Sequence, residues 1–168
     1  MIVFINGTYG VGKTQVANKI NQLYNDKAKV LEPDQLWIEE IKKDFTVALG
    51  GGAYPQNNKK FLQILKNRID KEIKECKGIL IIPMTITEDL SYNNIIKPYK
   101  NNVKHFILTA DEKVLRQRIL EDKLMDKSLA VNNIENNKRY LAKISNAIFI
   151  DTSNMSIDEV AKSVIERI

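Results

Sequence analysis

The 168-residue sequence predicts an α/β domain built on a five-stranded parallel sheet with helices on both faces. Three observations carry that expectation. Apolar runs of four to six residues alternate with longer amphipathic stretches, the rhythm of repeated βα units. The apolar runs are mostly continuous rather than alternating, as in strands covered on both faces. A glycine-rich turn follows the first run and leads straight into a helical pattern.

The strands are expected at Met1 to Ile5, Ala28 to Leu31, Ile79 to Ile82, Val103 to Leu108 and Ala147 to Ile150. Helical spacing covers Lys13 to Tyr24, Gln35 to Lys43, Asn57 to Glu75, Asp89 to Ile96, Glu112 to Asp122 and Ile134 to Ile144. A last helix begins at Ser156, with Glu159 completing a capping box, and runs to Arg167. Two segments break the rhythm: Gly50-Gly51-Gly52 ahead of Tyr54-Pro55, and the polar stretch Asp122 to Asn133, which is the expected lid. Irregular segments in such a domain lie where loops can move over a ligand. One domain of ordinary size accounts for the whole length, 1 to 168.

Composition excludes several classes. A single cysteine, Cys76, rules out an internal disulfide, and one histidine, His105, leaves no Cys/His metal cluster. No apolar run approaches the roughly 20 residues that span a bilayer. The short apolar N-terminus has no basic region ahead of it, so a cytoplasmic protein is expected. The net charge of +5 invites a nucleic-acid reading, but only five of the 26 basic residues are arginine and the lysines form no dense run. A solvated lysine surface is the expectation, with no nucleic-acid partner and a monomeric or homodimeric state.

The chemistry begins at Gly7-Thr8-Tyr9-Gly10-Val11-Gly12-Lys13-Thr14, which satisfies the P-loop pattern G-x-x-x-x-G-K-[ST]. At this composition the pattern arises by chance in roughly 0.3% of such chains, and here it lies between a strand and a helix. Glycines let backbone N–H groups approach a phosphate that side chains would block, and the helix start adds its positive end. Lys13 is expected on the β and γ phosphates of ATP, and the Thr14 hydroxyl on Mg²⁺. The expected nucleotide-binding set is Gly7, Gly10, Val11, Gly12, Lys13, Thr14 and Gln15. No guanine-specificity motif of the N-K-x-D type accompanies it.

After the second strand, Glu32-Pro33-Asp34 places two carboxylates at the strand end that faces the crevice of an open parallel sheet. One can take the proton of an acceptor hydroxyl while the other holds a metal-bound water. Asp34 also suits the N-cap of a helix beginning at Gln35, and the two roles are compatible. The third strand ends in Pro83, where many P-loop enzymes carry a metal-binding aspartate. Metal would then rely on Thr14, the phosphates, water, and Glu32 or Asp34. Met84 and Thr85 in the following turn suit an acceptor pocket.

These pieces resemble the shikimate-kinase-like and nucleoside-monophosphate-kinase-like P-loop kinases, through Glu32-x-Asp34 after the second strand. The closer resemblance is to the tunicamycin-resistance ATP-binding proteins. It rests on Ile5-Asn6-Gly7 running into Gly12-Lys13-Thr14-Gln15, on Glu32-Pro33-Asp34, on Ile82-Pro83-Met84-Thr85-Ile86, and on His105-Phe106 with Leu108, Leu115 and Arg118. The resemblance spans nearly the whole chain. It implies a three-layer α/β/α sandwich with strand order 2-3-1-4-5 and a short lid, and ATP-dependent phosphoryl transfer to a small-molecule acceptor linked to antibiotic resistance. It also implies Arg118 beside the adenine and the lid, and Arg68 toward the acceptor. The lid segment holds no arginine, so Arg139 beyond it is the expected charge stabiliser, with Lys13 and Asp34 as its catalytic partners. A nucleotide-binding protein that sequesters or senses a ligand is the alternative.

Overall fold

The five apolar runs pair as parallel strands in a computed structural model that describes residues 1–24, 27–52, 54–123 and 126–168. They are β1 Ile2–Gly7, β2 Ala28–Val30, β3 Ile79–Pro83, β4 Val103–Thr109 and β5 Ile148–Asp151, in the expected order β2-β3-β1-β4-β5. Ile2 of β1 pairs with Leu80 on one side and Val103 on the other, so the first strand is the centre of the sheet. Every residue of β1 and β3 is buried. The edge strands are not: Lys29 and Phe149 are exposed, because β2 and β5 are short and each has a sheet neighbour on one side only.

Alternate side chains of the central strands build two cores. Val3, Ile5 and Ile81 face one layer, formed by α1 Lys13–Tyr24, α5 Glu112–Glu121, α6 Lys127–Asn132, α7 Ile134–Leu141 and α8 Ile157–Ile165. Ile2, Phe4, Leu80 and Ile82 face the other, formed by α2 Pro33–Lys43, α3 Lys59–Glu75 and the segment that starts with α4 Asp89–Ser91. That segment passes through a π turn at Tyr92–Ile96 and a 3-10 turn at Lys97–Tyr99.

Three local differences from the sequence expectation bear on function. First, α2 begins at Pro33, not Gln35, because proline suits the first helical position. Asp34 is therefore in the first turn rather than at the N-cap, which is Glu32. Second, the polar stretch Asp122 to Asn133 contains helix α6, capped by the Asp126 carboxylate accepting from Leu129 N at 3.0 Å. Leu124 and Met125 of that expected lid lie outside the described residues. Third, α7 ends at Leu141, short of Ile144. The Ser156 and Glu159 capping box forms as the spacing requires. Among the described residues no helix is long and apolar enough to cross a membrane.

The chain leaves β1 toward β2 and leaves β4 toward β5, in opposite directions across the sheet. Such a reversal opens a crevice above the carboxyl ends of the adjacent strands.

Candidate active site

The turn from β1 to α1 occupies that crevice. Gly7 has φ +149°, and a Cβ there would meet Leu108 O at 2.6 Å and Val11 Cγ1 at 2.7 Å, so β1 can turn out of the sheet only without a side chain. Gly12, at φ +92°, brings the backbone into the start of α1 in a conformation that L side chains rarely adopt.

A buried amide holds the turn's first residue. Asn6 Oδ1 accepts from Gly7 N at 2.7 Å and from Ile86 N at 2.9 Å, while its Nδ2 donates to Ile86 O at 3.0 Å. The same Nδ2 lies 3.3 Å from His105 Nε2 on β4. Burial pushes the His105 imidazole down to about 4, so it is neutral and accepts from Asn6 through Nε2. Asn6 thus ties the glycine turn to the Met84–Ile86 segment beyond β3 and to β4. On the other flank, Thr8 Oγ1 accepts from Asn137 of α7 at 3.3 Å. Neither contact was singled out from the sequence, where a lone asparagine leaves no periodic signal.

Lys13 folds back over the turn and donates to Thr8 O at 2.9 Å. Burial pulls its ammonium down to about 8, and the Asp34 carboxylate opposes that shift. Asp34 itself is pushed above the usual carboxylate range by burial, with Lys13 opposing. Its outer surface meets water, yet protein crowds its other sides, so lost hydration outweighs the attraction to Lys13. Tyr9 completes the group: its ring centroid lies 6.0 Å from Lys13 Nζ, and its hydroxyl accepts from Gln56 Nε2 at 3.5 Å.

These residues line one cleft of about 670 Å³. Gly10, Gly12, Lys13, Thr14 and Gln15 meet Asp34, Met84, Thr85 and Arg118 there, together with Tyr9 and Pro83. The Arg118 guanidinium donates to Thr152 Oγ1 at 3.1 Å and Thr152 O at 3.0 Å, fixing it on the β5 side. Gly7 and Val11 are buried at the base of the turn.

Three expected site residues lie elsewhere. Glu32 and Arg68 line a separate pocket of about 240 Å³ beside the edge strand β2. Arg68 Nε donates to the buried Glu72 at 2.8 Å, and Lys29 pairs with the same carboxylate. Glu32 is extended while Asp34 is in the first helical turn, so two carboxylates two residues apart serve different pockets. Arg139 is exposed on α7, two positions from Asn137 and hence on the other side of the helix.

No protein-family model matches the chain, and no curated protein sequence does. Solved structures do. The tunicamycin resistance protein of Deinococcus radiodurans superposes with a TM-score of 0.78 at 24% identity, over 99% of this chain and 94% of that one. Shikimate kinase from Bacteroides thetaiotaomicron gives 0.68 at 14% identity, over 99% and 97%. A gluconokinase from Sinorhizobium meliloti gives 0.64 at 14% identity, over 98% and 89%. The fold is that of the P-loop kinases. In this fold the Gly7–Thr14 turn, which carries the P-loop pattern, runs from β1 to α1 beside the cleft described above.

The residues of the P-loop fit a nucleotide and its metal. Gly7 and Gly12 give the turn backbone angles that a side chain would disfavour, Lys13 supplies a poorly hydrated cation, and Thr14 stands at the cleft. Among the described residues no three His, Cys, Asp or Glu side chains gather as a metal site. Mg²⁺ would therefore rest on Thr14, phosphate oxygens and water, with Asp34 among the carboxylates that line the cleft.

Proposed function

We propose that this protein is an ATP-dependent phosphotransferase that moves the γ-phosphoryl group to a hydroxyl of a small molecule. The observation that carries the proposal is that Lys13 and Asp34 line one cleft beside the P-loop and act on each other electrostatically, each held away from its usual protonation range by loss of hydration.

Asp34 takes the proton of the acceptor hydroxyl as its oxygen attacks the γ-phosphorus, and the bond from that phosphorus to the oxygen it shares with the β-phosphate breaks. A carboxylate raised by burial is a better base than an exposed one. Lys13 exchanges the Thr8 carbonyl for phosphate oxygens and balances the charge that builds there. Mg²⁺ held by Thr14 and phosphate would supply further charge neutralisation when bound. Arg118 presents a fixed guanidinium plane on the nucleotide side.

A hydroxylated antibiotic such as tunicamycin is the first acceptor to try, on the strength of the Deinococcus radiodurans neighbour's name. The experiment incubates the protein with Mg²⁺-ATP and candidate acceptors, then seeks a product heavier by one phosphoryl group by mass spectrometry. Asp34→Asn should lower transfer by about 10²- to 10⁴-fold while nucleotide affinity in calorimetry stays within about threefold. Unchanged transfer in a folded variant would remove Asp34 from the mechanism.

A second reading has its own observation. Pro83 closes β3 and pairs with Ile5 at the point where a metal-binding aspartate is common in P-loop enzymes. That favours a protein that binds nucleotide and sequesters its ligand. Ligand binding without any phosphorylated product would select it.

A further inference from the structure

The chain carries five arginines, and their placement constrains what can enter the acceptor side of the cleft. Arg118 is engaged by Thr152 on the nucleotide side. Arg68 is bound to Glu72, a carboxylate only 2% exposed, and moving it away would weaken the pairing of a buried charge. Arg139 sits on the exposed side of α7. Arg116 pairs with Glu112, and Arg167, just beyond α8, donates to Ser163 O. Among the described residues that line the cleft, Lys13 and Arg118 are the only cations, and the reading above gives both to the nucleotide.

The rest of the cleft includes Tyr9, Pro83, Met84 and Thr85, which offer a ring, two apolar surfaces and a hydroxyl, and the two further carboxylates of Glu121 and Asp122. Resting on the phosphotransferase reading above, we infer that the acceptor is an uncharged hydroxyl compound with an apolar ring face, and that carboxylate- or phosphate-bearing acceptors are rejected. The ring face would lie on Tyr9 and Met84, the reacting hydroxyl on Asp34, and a second polar group on Thr85. A negatively charged acceptor would have to approach Asp34 with no cation of its own to meet. Like charges brought together in a partly dehydrated corner are strongly unfavourable. Burial already raises the Asp34 carboxyl before any second anion arrives.

The test uses paired acceptors that share a scaffold and differ in carrying an anionic group: nucleosides against their monophosphates, aryl glycosides against the corresponding aryl glucuronides, and cyclic triol methyl esters against the free acids. Each pair is incubated with the full chain and Mg²⁺-ATP, and transfer is read by mass spectrometry, with Asp34→Asn as the control for reaction in this cleft. The expected result is transfer to neutral members, with kcat/KM at least about a hundredfold above the charged partners. Transfer to a charged member within about tenfold of its neutral partner overturns the inference and leaves the phosphotransferase reading standing. Absence of product from every pair, with nucleotide still bound in calorimetry, removes that reading and the inference with it.

Discussion

The chain has two glycine-rich segments, and they do opposite things with their backbones. In Gly7–Gly12 the turn is anchored from below by Asn6 and leaves its upper surface open to the cleft. In Gly50–Gly52 the carbonyls turn inward: Asn58 Nδ2 donates to Val47 O at 2.9 Å and lies within 3.5 Å of Gly51 O and 3.3 Å of Gly52 O. A Cβ on Gly50 would meet Lys60 Cβ at 2.4 Å, so this segment is a packed turn closed on one asparagine rather than a loose hinge. Glycine density alone therefore does not distinguish a ligand cradle from a folded knot. Which backbone group faces the space does.

The largest expected effect separates the two segments by function. Lys13→Ala should lower turnover by roughly 10³-fold and weaken nucleotide binding, because the turn loses its only cation. Calorimetry with ATP checks this, and tight binding that survives the change would break the contrast. Next, Gly7→Ala puts a methyl against Leu108 O at a φ that disfavours it, for a loss of about 4 kcal/mol in denaturant unfolding together with nucleotide binding. Asn58→Ala should cost somewhat less, about 2 to 3 kcal/mol, by leaving Phe61 N and inward carbonyls without their partner. Nucleotide affinity should then stay within about twofold. A parallel fall in affinity would mean that the second glycine segment also shapes the cleft.

Much of this arrangement is legible in the sequence because it has a period or a spacing. The five apolar runs, the P-loop and the Ser156 capping box are local patterns, and each fixes its own geometry. Asp34, Met84 and Thr85 could be placed near the cleft since each follows a strand end, and Arg118 through the family resemblance. The clamps made by Asn6, Asn58 and Asn137 could not be read, because their farthest partners are 99, 11 and 129 residues away. The pairing of Arg68 with Glu72 was equally hidden: an i,i+4 spacing suggests a surface pair, whereas Lys29 from β2 and burial of the acid make it the wall of another pocket.

The smallest effect is one of pH, and it sets the two segments at opposite ends of the scale. Beside Gly50–Gly52, Asp44 accepts from Thr46 N, Thr46 Oγ1 and Lys60 Nζ, which hold its carboxyl down to about 2. Its folded value is depressed, so its contribution is present above 3.8 and is lost as pH falls toward 2. Lys13 in the P-loop is depressed from 10.5 to about 8. Between those values the folded chain has released a proton that the unfolded chain still holds, so this group makes stability rise with pH across the window. Nucleotide affinity must move the other way, since neutral Lys13 attracts phosphate less, and a requirement for its charged form would lower affinity by about tenfold per pH unit above the pKa of the free protein. Melting curves and calorimetry at pH 7, 8 and 9, read against Lys13→Ala, test for these opposite slopes. Asn58→Ala, which removes no titrating group, should leave both slopes in place, whereas slopes that survive Lys13→Ala would belong to some other group.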